Sequence, residues 1–348
     1  MSAASATPTT PTSGAAPLQE PSPPPARQPS PQSHRRNIAA VVLLIPVLAA
    51  LALWAFAWPA ARTAPHDLPL GLAGPATATA KVQKQLEAHE GAFEIHRYAD
   101  EAAARDAIED RTVYGAVVVT AQGPKLLTAS AAGPLVAQSL QLAVAQQAGE
   151  TPVRTVDVVP ASPDDPRGAV LTSSVLPMTL AGIAAGAVVT LLGLRGRRAV
   201  AALIGAAVVV GTVAAFIAGN WLGAFTGGWW PEAGALALST LAVSAAVAGL
   251  AALIGTPGIG VGAFVLMMLG NPFSGASSAP EMLPAPVGVI GQWLPPGAGA
   301  SLLRSVSFFD GAAASGPALT LAWWAALGLG AVLLGSALKR RRSPAPTG

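Results

Sequence analysis

The chain has 348 residues, 52% of them hydrophobic and 11% charged, with a formal net charge of +3 and no cysteine. A soluble globular domain carries about 25% charged residues, far more than this chain holds. The lack of cysteine excludes disulfides, zinc–thiolate sites and thiol catalysis.

The charge deficit is local. No Asp, Glu, Lys or Arg occurs in residues 168–194, 199–231, 233–280 or 311–338. Uncharged apolar runs of this length mark bilayer-spanning helices, because a hydrocarbon core of about 30 Å needs about 20 residues at 1.5 Å each. Several such runs exceed what the core of a soluble protein needs.

Residues 1–37 open the chain as a Pro-, Ser- and Thr-rich tail in which Glu20 and Arg27 are the only charges before His34. Such a stretch buries too little apolar surface to offset the entropy of ordering, so it is expected as a disordered cytoplasmic tail. His34-Arg35-Arg36-Asn37 then precede an apolar run over 38–61, longer than the 7–15 residues of a cleaved signal core. A retained signal anchor, transmembrane helix 1, is expected there, with Trp54 and Trp58 near its far interface.

Residues 62–167 differ in kind, with nine Lys or Arg against thirteen Asp or Glu, a net of −4. Their pattern predicts a small α/β domain, with strands over 67–73, 93–98, 113–120, 124–130 and 154–159 and helices over 78–89, 101–110 and 134–148. Asp100 is placed to cap the second of these helices. Asp164-Asp165-Pro166 punctuates the return to the membrane.

Five further spans are expected at about 168–194, 199–221, 233–255, 257–271 and 317–338, the fourth too short to cross at full depth. These spans are expected to contain no ionisable residue, which argues against a proton relay of the kind a secondary antiporter needs. Gly182/Gly186 and Gly258/Gly262 permit close helix approach within the chain. With the N-terminus inside, six spans bring His34-Arg35-Arg36, Arg195-Gly196-Arg197-Arg198 and Lys339-Arg340-Arg341-Arg342 into the cytoplasm. Both termini are then cytoplasmic, 339–348 forming a basic tail, and the acidic domain lies outside. Of the eleven Lys and Arg outside residues 62–167, only Arg304 falls on the external side.

The external segment 271–316 is too apolar for a solvated loop and too rich in Pro and Gly for a span. Irregular backbone at membrane depth is tolerated only when buried in protein or lining a cavity. Short re-entrant or interfacial helices are expected: one turn near 280–283, and a helix over 297–309 with Arg304 at the headgroup level. The candidate pathway residues are Asn271, Pro272, Ser274, Gly275, Pro280, Glu281, Pro284, Pro295, Pro296, Gly297, Arg304, Asp310 and Gly311. A structural plug is the competing account of this segment.

Other chemistry lacks a signature. No phosphate-cradling Gly-x-x-x-x-Gly-Lys-Ser/Thr motif occurs, and the four histidines are scattered. No catalytic, cofactor-binding or metal site is expected, and no nucleic-acid partner.

Several stretches carry a resemblance. They are Asp106-Ala107-Ile108-Glu109-Asp110-Arg111 with Val113-Tyr114-Gly115-Ala116-Val117-Val118-Val119, Gly270-Asn271-Pro272-Phe273-Ser274-Gly275, Pro280-Glu281-Met282-Leu283-Pro284, Leu294-Pro295-Pro296-Gly297-Ala298, Leu303-Arg304 and Phe309-Asp310-Gly311. With the order of one span, an external domain and five spans, they resemble the ABC-2 type permease superfamily and its YhgE/Pip (phage infection protein) branch. The resemblance implies a permease subunit in the plasma membrane, cargo export driven by a separate ABC ATPase, and assembly as a homodimer. The alternative is a non-transporting scaffold or envelope receptor whose external domain binds a protein or cell-wall partner. A membrane enzyme is the remote third reading.

Overall fold

A computed structural model of the chain describes residues 31–148 and 153–342. Residues 1–30 of the expected 1–37 tail, and residues 343–348 of the expected basic tail, lie outside the described residues.

The first unit reaches Ala49 and holds the first part of helix α1, Pro31–Ala61. Ile38, Val42 and Ile45 are all exposed, as a helix surrounded by lipid requires. The helix includes residues 31–37, which were expected in the tail. Proline suits a first helical turn, and Gln and Arg extend a helix well.

The second unit, from Ala50 onward, holds everything else. After α1 come β1 (Leu68–Ala73), α2 (Ala76–Glu87), β2 (Phe93–Tyr98), α3 (Glu101–Glu109), β3 (Gly115–Thr120), β4 (Gly123–Thr128), α4 (Pro134–Ala148) and β5 (Arg154–Asp157). The strands form one mixed sheet in the order β2-β1-β3-β4-β5, antiparallel only between β3 and β4. Alternate side chains go to opposite faces. Leu68, Leu70, Leu72, Val117 and Leu126 pack with Val136 and Leu140 of α4. Ala116, Val118 and Leu127 pack with Ala104, Ala107 and Ile108 of α3. Because both faces are covered, β1 and β3 read as continuous apolar runs. The Asp100 side chain accepts a hydrogen bond from the Ala103 amide at 2.9 Å and caps α3.

The membrane part follows as α5 (Ala169–Leu191), α6 (Gly196–Ala215), α7 (Trp229–Ile254), α8 (Pro257–Val265), α9 (Val287–Trp293), α10 (Pro295–Phe308) and α11 (Ser315–Arg342). A π-helical turn ends α6 at Phe216–Trp221, another ends α8 at Leu266–Gly270, and a 3-10 turn lies at Pro280–Met282. Among the described residues, five helices are long and apolar enough to cross a membrane: Ile38–Ala61, Ala169–Leu191, Gly196–Trp221, Trp229–Ile254 and Ser315–Arg340. The chain is a multi-pass membrane protein. The remaining expected span, at 257–271, is a shorter apolar helix, Pro257–Gly270, about 21 Å at 1.5 Å per residue.

Helix α7 is the most buried of the five. Gly182 and Gly186 of α5 and Gly258 and Gly262 of α8 all face it at close range. Contrary to expectation, α7 carries an ionisable residue. It begins at Trp229, one turn earlier than the charge-free run, and so takes in Glu232, which is 2% exposed. At α5, the buried Asp165 carboxylate accepts the amides of Ala169 (2.9 Å) and Val170 (2.8 Å) and so caps the helix. The α5–α6 turn meets the far end of α11 where the Gly196 amide donates to Ser336 Oγ at 2.7 Å. Arg195, Arg197, Arg198, Lys339 and Arg340 line one cleft at that end.

Candidate functional site

Helix α10 is the hub of the site. Every residue from Pro295 to Ser305 is buried, although the helix is only 14 residues long. An all-round buried helix must be small enough on every face to accept neighbours, and Gly297, Ala298, Gly299 and Ala300 meet that need. The proline pair Pro295-Pro296 starts it, where a missing amide costs nothing. Leu302 and Leu303 enter the core shared with α5, α7 and α11.

Arg304 is enclosed by protein rather than exposed at a surface. It is 3% exposed, and its Nη2 donates to the Ala276 carbonyl at 2.8 Å. The lone cation in an apolar segment looked solvent-seeking, but α10 turns it inward, where the loop carbonyl serves as acceptor. Thr172 Oγ1 of α5 donates to the same carbonyl at 3.2 Å. The Arg304 Nε finds no hydrogen-bond partner.

The α/β domain reaches this hub through Arg111, at the start of the central strand's approach. Its Nη1 donates to the Ser301 carbonyl (3.1 Å) and to Ser305 Oγ, both on α10. Its guanidinium lies over the Phe309 ring, 5.3 Å from the centroid. Three residues on, the Tyr114 hydroxyl donates to Glu281 Oε2 at 2.8 Å. Burial, and then the Glu281 carboxylate, push the Tyr114 hydroxyl well above the usual tyrosine range, so it stays a donor. Burial draws the Arg111 guanidinium down, yet an arginine remains charged.

Backbone contacts complete the joint. The Ala64 amide donates to the Met282 carbonyl (3.0 Å) and the His66 amide to the Glu281 carbonyl (2.8 Å), so the linker after α1 runs beside the 3-10 turn. Gln292 ties three segments: its Nε2 donates to the Ser274 carbonyl at 2.9 Å and its Oε1 accepts from Ser301 Oγ at 2.6 Å.

Between domain and helices lies a cleft of about 660 Å³, lined by Arg111, Tyr114, Glu281, Gln292 and Ser301 among others. This is the best candidate for a binding site, within the usual range of ligand pockets. By contrast, the cavity under α10, among α5, α7, Pro295 and Pro296, measures about 30 Å³, room for about one water.

Of the residues singled out from sequence, Pro280 and Glu281 line the cleft, and Arg304 lies within electrostatic reach of Glu281, Tyr114 and Arg111. Ser274 reaches it only through its carbonyl to Gln292. Gly275 turns the loop at φ 65°, and the Asn271 carbonyl accepts from Ser274 Oγ at 2.7 Å. Pro296 packs on Gly270, Gly297 on Gly291, and Pro284 is buried between the short helices. Pro272 is half-buried in the same loop. Asp310 and Gly311 turn the chain out of α10 at φ 48° and 86°, and Asp310 lines a separate cleft with Glu109 and Thr226.

The site residues missed from sequence are Arg111, Tyr114, Gln292, Ser301 and Ser305. A usable signal existed for one of them: Arg111 sits at φ 60° directly before an apolar strand, a cation where the domain's core begins. Away from the cleft, Glu101 of α3 pairs with Arg105 (2.8 Å) and Lys125 (2.6 Å). Among the described residues, no three His, Asp or Glu side chains gather as a metal site would require.

Residues 38–162, spanning the membrane part of α1 and nearly all of the α/β domain, match the family described as ABC-2 family transporter protein. The helices from α5 onward lie outside that match. No curated protein and no solved structure matches the chain.

Proposed function

We propose that the chain is the permease subunit of an ABC-2-type transporter, acting as a homodimer with a separate ATPase to export a cargo. The observation that carries this reading is the family match over the first span and the domain that follows it. The YhgE/Pip-like branch is the finer assignment that the motifs around Arg111 and residues 270–311 favour. In this reading the α/β domain is external and both termini are cytoplasmic. The clustering of Arg195, Arg197, Arg198, Lys339 and Arg340 at one end supports that orientation. Helix α8 with the segment after it would supply the sixth crossing. An ATPase would dock on the basic end, the part of the described membrane region that faces the cytoplasm.

The test is purification of the full chain in mild detergent from its native membrane. An ABC ATPase should co-purify, and Arg197→Glu with Arg198→Glu should release it. Recovery of the chain with no ATPase at all would overturn the transport reading. Orientation has its own test, helped by the absence of native cysteine: Gln122→Cys should react with an impermeant thiol reagent on intact cells, and Arg197→Cys should not.

A second reading, a non-transporting scaffold or receptor, is favoured by the filled interior beneath α10, where only about 30 Å³ is open. Deleting residues 66–165 separates the two. A receptor loses its external partner while an ATPase, if present, stays bound.

A further inference from the structure

We infer that the cleft beneath the α/β domain binds an anionic phospholipid, the phosphate held by Arg111 and an acyl chain lying along α9 and the start of α11. This inference does not depend on transport, since a lipid can occupy the cleft with no ATPase and no moving cargo.

The cleft has two kinds of wall. The domain side brings Arg111, Thr112 and Tyr114, and the helix side brings Leu283, Val289 and Trp293. Outward from the helix side the surface stays apolar: Val289 is 65% exposed, Trp293 73%, Leu319 71% and Trp323 66%. Exposed apolar side chains beside a polar recess suit a molecule with a head and a chain. The Trp324 indole donates to the Trp293 carbonyl at 2.8 Å, holding α9 against α11.

The depth is right for a headgroup. Gly316, Pro317 and Thr320 line the cleft and belong to the opening turns of a candidate span. Thr320 lies about 7.5 Å along the helix axis from Ser315 at 1.5 Å per residue. The headgroup layer of one leaflet is of similar thickness, about 5–7 Å.

The charge selects the head. Two guanidiniums, Arg111 and Arg304, share their surroundings with one carboxylate, Glu281, which is already engaged by Tyr114. Neither arginine has a carboxylate within ion-pair distance among the described residues. Arg111 spends only Nη1 on the protein, leaving Nε and Nη2 free among the described residues. That free edge offers two parallel N–H donors, the geometry that grips a phosphate. Asp67 also lines the cleft but is exposed to solvent, and it pairs with neither arginine among the described residues.

The experiment uses the purified full chain in non-ionic detergent with phosphatidylglycerol carrying a photoreactive acyl chain, and phosphatidylcholine labelled the same way. Crosslinked peptides are mapped by mass spectrometry, which separates this site from the basic end of the molecule. Phosphatidylglycerol should label residues 287–293 at least tenfold more than phosphatidylcholine does. Arg111→Gln should cut that labelling about tenfold. Because Arg111 also fastens the domain to α10, Val289→Asp provides a second arm at an exposed position that packing does not use. It should lower the labelling to a similar degree with an unchanged unfolding temperature. Equal labelling by both lipids, or labelling unchanged in both variants, would overturn the inference. So would displacement of the label by millimolar inorganic phosphate alongside indifference to Val289→Asp, which would make the cleft a free-anion site.

Discussion

Gly186→Ala is the sharpest test of how the membrane helices pack. A Cβ at Gly186 would stand 2.6 Å from the Ser244 carbonyl oxygen and 3.0 Å from Val247 Cβ, both on α7. Carbon and oxygen rest at about 3.5 Å, so α5 and α7 would have to separate by roughly 1 Å or bend. Forcing one extra methyl into a close-packed contact costs about 1–3 kcal/mol. Against this stands the gain of about 0.5–1 kcal/mol when alanine replaces glycine inside a helix. Gly205 of α6 and Gly330 of α11 isolate that gain, because an added Cβ there meets nothing within 4 Å. The propensity gain is common to all three variants, so the gap between Gly186→Ala and Gly205→Ala measures the packing alone, about 1–3 kcal/mol. Thermal unfolding of the detergent-solubilised full chain is the assay. Gly205→Ala and Gly330→Ala should melt at or slightly above the parent, and Gly186→Ala several degrees below them. If Gly186→Ala melts with or above Gly205→Ala, the α5–α7 contact is not tight and this account of the bundle fails.

Asp165→Ala removes the carboxylate that caps α5 and should cost about 0.5–2 kcal/mol, read as a lowered melting temperature, with Asp165→Asn retaining part of the loss. The Lys125 ammonium, followed by Arg105, holds the Glu101 carboxyl below the usual range. Its contribution is thus complete above the unfolded value of about 4.3 and lost as pH falls through the lower folded value. The melting gap between the parent and Glu101→Gln should therefore be open at pH 7 and close on acidification; a gap that widens in acid would contradict the pairing. Glu232 is buried with Oε1 lacking a hydrogen-bond partner, so Glu232→Gln should melt at or above the parent at pH 8, since an unpaired buried charge costs more than a neutral amide. A drop of several degrees would mean that the neighbouring Gly227 amide and Ser307 hydroxyl hold the carboxylate more tightly than they would hold an amide.

What the sequence disclosed of this fold depends on how local the cause is. Strand β2 and helix α4 fall on their expected bounds, Phe93–Tyr98 and Pro134–Ala148, because alternation and helical composition are decided within a few residues. Asp100 was legible as a cap for the same reason, its acceptor lying three residues from its donor. Helix α9 was not legible: seven residues between proline pairs carry no period, and their helix is held by Gln292 bonding to Ser274 and Ser301. Glu232 was missed by one position, since the charge-free run begins at Ala233 while the helix begins with the tryptophans at 229 and 230.

The site repeats this pattern at longer range. Glu281 is one of two acids in the apolar segment 271–316, but its partner Tyr114 is 167 residues away in sequence. Arg111 likewise reaches Ser305 across 194 residues. No pattern within a window can show such a pair, because it is made by folding the domain onto α10. The enclosure of Arg304 has the same origin. A single cation among apolar residues has two physical outcomes, escape to water or burial with an acceptor. Sequence favours the first because it sees the cation and not the acceptor. The second occurs here because α10 is enclosed on all sides, and the Ala276 carbonyl, freed from any regular helix by the turn at Gly275, is available to receive it. The irregular segment that made residues 271–316 look like a pathway is thus, at Arg304, what makes a buried charge tolerable.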